Sequence, residues 1–264
     1  VFAITTRNKL RSRRYAPHMV RAWFRVRRQL YETPGMLRYT TGIANFTEFY
    51  TCTLWKTEME MFAFMSSGAH RDMMWNFSRW SDTFWAMRWN ASVDELGRWN
   101  TTGDENGGKF ASMITSGPET IRQAPSADNY VSRWLVEQGV IPKPDVPDPP
   151  PGIPATTAVL ARIPMISPTK LVRLRRVLRP WRSGHPHLLR FTLAVGPGEC
   201  FLIAVWEAGA LEESRALMAT LMRSFPDAWT MRFRGHDFEV GHWDDLRLRE
   251  ILLPEDPLGP ARMR

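Results

Sequence analysis

Apolar and polar positions along this chain follow two periods, and the periods change over in the same order twice. In the first half FAITTRN alternates as a half-buried strand does, and Ala16 to Glu32 places Met19, Trp23, Val26 and Leu30 on one helical face. Two more alternating runs, MLRYTTGI and EFYTCTLW, lie one short turn apart; a helical region and the strand TFWAMRW complete the half. The second half repeats the order. TAVLARI is followed by a helix from Pro168 carrying Leu171, Leu174 and Leu178, then LLRFTLAV, ECFLIAVW, a helix from Ala210 to Phe225, and TMRFRGHDF. Each half reads β-α-β-β-α-β.

Individual residues keep step between the halves. RVRRQL from Arg25 matches RLRRVL from Arg173, Leu37-Arg38-Tyr39-Thr40 matches Leu189-Arg190-Phe191-Thr192, and Glu48 with Trp55 matches Glu199 with Trp206. Each unit has helices on one face of its sheet, so the other face needs a cover; packing the two sheets together supplies it. The expected fold is α+β, two tandem ferredoxin-like units forming an α/β barrel of the dimeric type within one chain. The units span residues 1–90 and 155–250. Between them, residues 91–154 read as a connector, Gly- and Asn-rich at first, with one helix at Asn129 to Gln138 and then the stiff spacer IPKPDVPDPPPGIP. Residues 251–264 read as a tail.

The repeats differ at their second helix. In the second unit ALEESRALMATLMRSF is an ordinary amphipathic helix, with Leu211, Leu217, Leu221 and Met222 on its apolar side. The first unit has a longer segment there, interrupted at Gly68 and carrying His70. At helical spacing Met73, Met74 and Phe77 share the face of His70, so the imidazole looks into an apolar, sulfur-rich wall. Three readings stay open for it: a core histidine satisfied by backbone or carboxylate, an axial ligand to a metal or haem, and a general acid or base. A zinc site is not expected, because no second His or Cys stands nearby at ligand spacing.

Composition bounds the function. Twelve Trp and fourteen Met in 264 residues suit broad apolar sites as well as cores. A net charge of +8 and the arginine runs Arg11 to Arg14, Arg25 to Arg28 and Arg173 to Arg176 raise nucleic acid as a partner. No zinc finger, RNP-like aromatic motif or basic zipper accompanies them, so nucleic-acid binding is not expected. Attraction to an anionic membrane surface and arginine contacts to cofactor carboxylates stay open. The two cysteines, Cys52 and Cys200, each fall in a strand that reads as buried, which excludes a disulfide framework and points to a reduced, cytoplasmic setting. No signal peptide and no apolar run of about 18 residues is recognisable, so the expectation is a cytoplasmic protein, peripheral to membranes at most.

The pattern Trp55-x-Thr57-Glu58-x-x-Met61-x-x-Phe64, then Ala69-His70, then Trp80-Ser81-Asp82-x-x-Trp85-x-x-Arg88-Trp89, resembles the spheroidene monooxygenase family. These are bacterial carotenoid-modifying enzymes of the dimeric α/β barrel superfamily, which also includes antibiotic-biosynthesis monooxygenases, chlorite dismutases, dye-decolourising peroxidases and aldoxime dehydratases. The resemblance covers about residues 1–90. The chain departs from the family in carrying Asp82 where Glu is usual, and in adding the connector and second unit.

The resemblance implies haem b with His70 on the iron, dioxygen as co-substrate, an external electron donor, and oxygen insertion into an apolar, carotenoid-like or other secondary-metabolite substrate. On it, Met73, Met74, Trp75 and Phe77 would lie against the cofactor, and Trp80, Phe84, Trp85 and Trp89 would form apolar walls. Arg71 and Arg88 would pair with propionates, and Asp82 would orient the imidazole or cap a turn. Rival readings are a cofactor-free oxygenase, a haem-dependent dehydratase with His18, His185 or His187 as acid, and a non-catalytic haem or small-molecule binding module. His236 and His242 have no assigned role. No Gly-rich dinucleotide loop is present, so reducing equivalents would come from outside. An internal repeat can stand in for a dimer, leaving a monomer with an internal pseudo-dimer or a homodimer.

Overall fold

Helix α1 (Ala16–Glu32) starts with Pro17 in its first turn, where a missing N–H costs nothing, and buries Met19, Val26 and Leu30. It stops because Pro34 steers Thr33 into an extended conformation, and Gly35, at φ +75°, turns the chain back into the sheet. The computed structural model describes residues 2–97, 99, 124–125, 156–165, 167–182, 185–207, 209–241 and 243–244. The connector helix, the proline spacer and the tail lie outside the described residues.

The first unit is β1 (Phe2–Leu10), α1, β2 (Met36–Asn45), β3 (Glu48–Trp55), α2 (Glu58–Met65), α3 (Gly68–Trp80) and β4 (Ser81–Gly97). After the short β5 (Ala124–Pro125), the second comprises β6 (Thr157–Pro164), α4 (Pro168–Arg182), β7 (Leu188–Gly196), β8 (Glu199–Trp206), α5 (Leu211–Ser224) and β9 (Trp229–Gly241). Within the units the strands lie in the orders β4-β1-β3-β2 and β9-β6-β8-β7, all antiparallel. Two seams, β2 with β7 and β4 with β9, join the sheets edge to edge, and eight strands close into a ring with β5 appended to β4. The β4–β9 seam pairs along much of its length, whereas β2 and β7 meet at the single pair Ile43–Val195. The tandem ferredoxin-like fold expected from the repeat is present.

Register confirms the repeat residue by residue. Ala3 pairs with Leu54 as Ala158 pairs with Val205, and Arg7 faces Tyr50 as Arg162 faces Phe201. Alternation then sorts side chains into two environments. Ala3, Tyr50, Cys52, Trp85, Met87, Trp89, Phe201 and Phe233 fill the barrel, while Ile4, Val26, Leu30, Trp55 and Phe64 pack between the first sheet and its helices. Cys52 and Cys200 are both buried, free thiols, as expected.

The barrel interior is not purely apolar. Arg7 Nε donates to Glu48 at 2.5 Å, and its repeat mate Arg162 does the same to Glu199 at 2.5 Å. Thr40 of the first unit donates to Glu199 of the second, so one half-buried carboxylate ties both units. Past β9, Trp243 packs on Tyr50 and Trp85 with ring centroids 5.5 and 4.7 Å away, and Asp244 bonds Arg7 at 2.7 Å. Arg190 holds the carbonyl of Trp243 at 3.0 Å, fixing this return of the chain against the barrel.

Candidate functional site

The site builds from the junction between α2 and α3. Thr57 caps α2: its hydroxyl accepts the Glu60 N–H at 3.3 Å, and Glu60 reaches back to it at 2.7 Å. The helix ends at Ser66, and Gly68, at φ +55°, starts α3 in a new direction. This is the interruption expected at Gly68. The turn sets His70 two residues into α3, where backbone N–H groups have no partner within their own helix. Gln29 of α1 supplies one: its Oε1 accepts the His70 N–H at 2.8 Å, while its Nε2 donates to the carbonyls of Phe64 and Ser67 at 3.2 and 3.0 Å.

The His70 ring is held on two sides. Its Nδ1 lies 3.2 Å from the Met65 carbonyl, and its plane tilts over Phe64 with centroids 4.7 Å apart. A carbonyl only accepts, so Nδ1 carries the hydrogen and the neutral ring keeps its lone pair on Nε2. Burial lowers the imidazole pKa against an opposing pull from the Met65 carbonyl, so the ring is neutral at pH 7. Nε2 has no hydrogen-bond partner among the described residues.

The other expected site residues divide. Met73 joins the clusters on both sides of it, with Met61 and Phe64 and with Leu10 and Met19; Met74 and Phe84 join the latter. Trp80, at the end of α3, packs there too and stacks on His18 at 6.3 Å. The side chains of Trp75 and Phe77 lie outside the described residues. Trp85 and Trp89 belong to the other face of β4: they point into the barrel, where their indole N–H groups donate to Glu239 at 2.8 Å and Thr5 at 2.7 Å. The strand's period of two separates them from Arg88, so these two tryptophans do not share a pocket with the motif's arginine, whereas Trp80 and Phe84 lie on the helix side.

Arg88 lies on the helix side, buried, 2.7 Å from Glu58 and 5.7 Å from the Phe62 ring centroid. Burial lowers its pKa against the pull of Glu58. Arg71 is exposed, 4.0 Å from Asp72. Asp82 is exposed in β4 and neither bonds His70 nor caps a helix; the Met65 carbonyl orients the imidazole instead. His185 stacks on Trp181 at 4.3 Å and His187 lies 3.2 Å from Glu207, both in the second unit; the His236 side chain and His242 lie outside the described residues. No group of His, Cys, Asp and Glu suited to a metal ion exists among the described residues, and no helix there is long and apolar enough to cross a membrane.

For a haem the fit is good at the ligand and narrower around it than the motif suggested. A neutral histidine with Nδ1 bonded to a backbone carbonyl and Nε2 free of partners among the described residues is the arrangement an axial ligand needs. Met73, Met74 and Trp80 line the same layer. A propionate at Arg88 would compete with Glu58. Gln29 was missed in the sequence, although a signal was there: its repeat mate in RLRRVL is Val177, so it is a polar residue that the second unit does without.

No family profile and no curated protein matches the chain. Solved structures do resemble it at low identity. SnoaB from Streptomyces nogalater, described as a cofactor-independent oxygenase, is 10% identical with a TM-score of 0.29; the match covers 38% of this chain and 95% of that one. A Lactobacillus acidophilus protein described as a monooxygenase is 5% identical with a TM-score of 0.32, covering 91% of this chain and 99% of that one. An aldoxime dehydratase is 10% identical with a TM-score of 0.45, covering 89% and 82%.

Proposed function

We propose that the helix-covered layer of the first unit binds haem b through Nε2 of His70 and inserts oxygen from dioxygen into an apolar small molecule. One observation carries this reading: a neutral imidazole, fixed in one tautomer by the Met65 carbonyl, keeps its Nε2 lone pair without a partner among the described residues. Bound haem supplies dioxygen binding and activation. His70 would hold the iron, Gln29 and Met65 hold His70, and Met73, Met74 and Trp80 would offer the group an apolar wall against water. The second oxygen atom leaves as water, so reducing equivalents come from an external donor. The motif from Trp55 to Trp89 supports a carotenoid-like or other secondary-metabolite substrate.

Absorption spectroscopy tests the proposal. The expected result is a Soret band in the purified protein, or after reconstitution with hemin, that His70→Ala abolishes and an added imidazole restores. A protein that stays colourless after reconstitution overturns it. The same neutral imidazole would then serve as the base of a cofactor-free oxygenase, and dioxygen uptake by the colourless protein, lost in His70→Ala, would show this.

A further inference from the structure

We infer that the outer face of α1 docks the protein on an anionic lipid bilayer. The inner side of this helix buries Met19, Val26 and Leu30. At 3.6 residues per turn the opposite side carries Pro17, Val20, Phe24 and Arg28, with Arg21 and Arg25 along one flank and Arg27 along the other. Val20 and Phe24, one turn apart, are 43% and 61% exposed, so an apolar pair stands open to solvent inside a ring of guanidinium groups. Beyond the N-terminal end of the helix the chemistry continues: Phe46, at the turn between β2 and β3, is 70% exposed, and the Arg13 guanidinium lies 5.3 Å from its ring centroid.

Charge decides the partner. Glu32 is the sole acidic residue between Phe2 and Thr47, and its contact with Arg28 at 3.4 Å is solvent-exposed on both sides and weak. Arg21 and Arg25 have no ion-pair partner among the described residues. A cationic helical face with exposed aromatic and aliphatic side chains at its centre fits a lipid surface, where phosphates meet the arginines and Phe24 enters the acyl boundary. A nucleic acid would use the arginines and leave Val20 and Phe24 idle. The inference is independent of the chemistry at His70, although α1 also holds His70 through Gln29.

Sedimentation of the full chain with vesicles tests it. We expect binding to phosphatidylcholine mixed with phosphatidylglycerol and none to phosphatidylcholine alone, with loss of binding as salt rises from about 0.1 M to about 1 M. Arg21→Gln with Arg25→Gln lowers the partition coefficient roughly thirtyfold. Phe24→Ser lowers it roughly tenfold while leaving the charge unchanged. All three positions are exposed, and unchanged circular dichroism and unfolding midpoints verify the fold. Equal binding to both vesicle types, no binding to either, or insensitivity to the arginine pair overturns the inference. So does a duplex DNA probe bound as tightly as the anionic vesicles with Phe24→Ser having no effect on either.

Discussion

The side-chain oxygen of Gln29 accepts the backbone N–H of His70 at 2.8 Å, and so joins the last turn of α1 to the first turn of α3. The same amide donates to the carbonyl of Phe64 in the last turn of α2 and to that of Ser67 in the linker before α3. One side chain therefore satisfies donors and acceptors that a helix end leaves open, and fixes the direction in which His70 enters the layer. Gly68 leaves room for it: a Cβ there would lie 3.0 Å from the Gln29 amide carbon, at a backbone φ of +55°.

Gln29→Val imports the residue of the second repeat. It strands the His70 N–H at a half-buried junction, while the Phe64 and Ser67 carbonyls keep the backbone N–H groups of Ser67 and Arg71, and the expected cost is about 1 kcal/mol of unfolding free energy, measured by urea titration. Native-state hydrogen exchange gives the sharper readout. Protection of the His70 amide falls in the variant while that of the barrel strands is retained; unchanged protection at His70 would show that the contact does not hold the turn.

How far the sequence goes is visible in particular residues. Alternation in FAITTRN and the apolar run TAVLARI mark the first strand of each unit in the sequence, whereas the equivalence of Arg7 and Arg162 emerges only from their register in the sheet. The motif Trp85-x-x-Arg88-Trp89 was legible as residues and not as a pocket: a strand sends neighbours to opposite faces, so its two tryptophans fill the barrel while Arg88 meets Glu58 outside it. The role of Gln29 depends on a tertiary contact across 41 positions, which no local period carries.

Burial lowers the pKa of His70, so stability should depend on pH in the acid-to-neutral range. The unfolded imidazole takes up a proton near its ordinary value of 6.5, and the folded one resists. Between the lowered value and 6.5 the unfolded state binds more protons, so stability is full above that range and is lost as pH falls through it. His70→Asn should flatten this part of a stability-against-pH profile from urea midpoints. A wild-type slope that survives the substitution would assign it to other groups.

Glu48 behaves in the opposite sense to a buried acid left alone. Burial pushes its pKa up, but the Tyr50 hydroxyl at 2.6 Å and Arg7 at 2.5 Å bring it net below the ordinary carboxylate value. A lowered carboxylate contributes stability above its unfolded pKa, near 4.5, and the contribution disappears as pH falls through the folded value. Glu48→Gln leaves the Arg7 charge in a buried position with Asp244 as its remaining acid, and about 3 kcal/mol should be lost at pH 7. The variant's deficit should shrink as pH drops below about 4. A deficit constant down to that pH would mean that the pair adds nothing beyond the hydrogen bonds that glutamine preserves.

The seam between β2 and β7 gives a test of barrel closure that separates crowding from backbone strain. Ile43 pairs with Val195 there, and the strands approach closely because Gly42 has no side chain: a Cβ would lie 2.9 Å from the Ala194 Cβ and 3.0 Å from its backbone carbon. Gly198, in the nearby turn between β7 and β8, presents the converse case, with φ at +74° and nothing within 4 Å of an added Cβ. Gly198→Ala should cost about 1 kcal/mol, from the left-handed conformation alone. Gly42→Ala must push apart two strands that belong to different repeats, and about 2 kcal/mol is expected, rising further for Gly42→Val as the seam opens. Urea unfolding measures all three. If Gly42→Val costs no more than Gly198→Ala, the two sheets yield at that edge without penalty, and the ring is held by the β4–β9 seam and the Thr40–Glu199 contact instead.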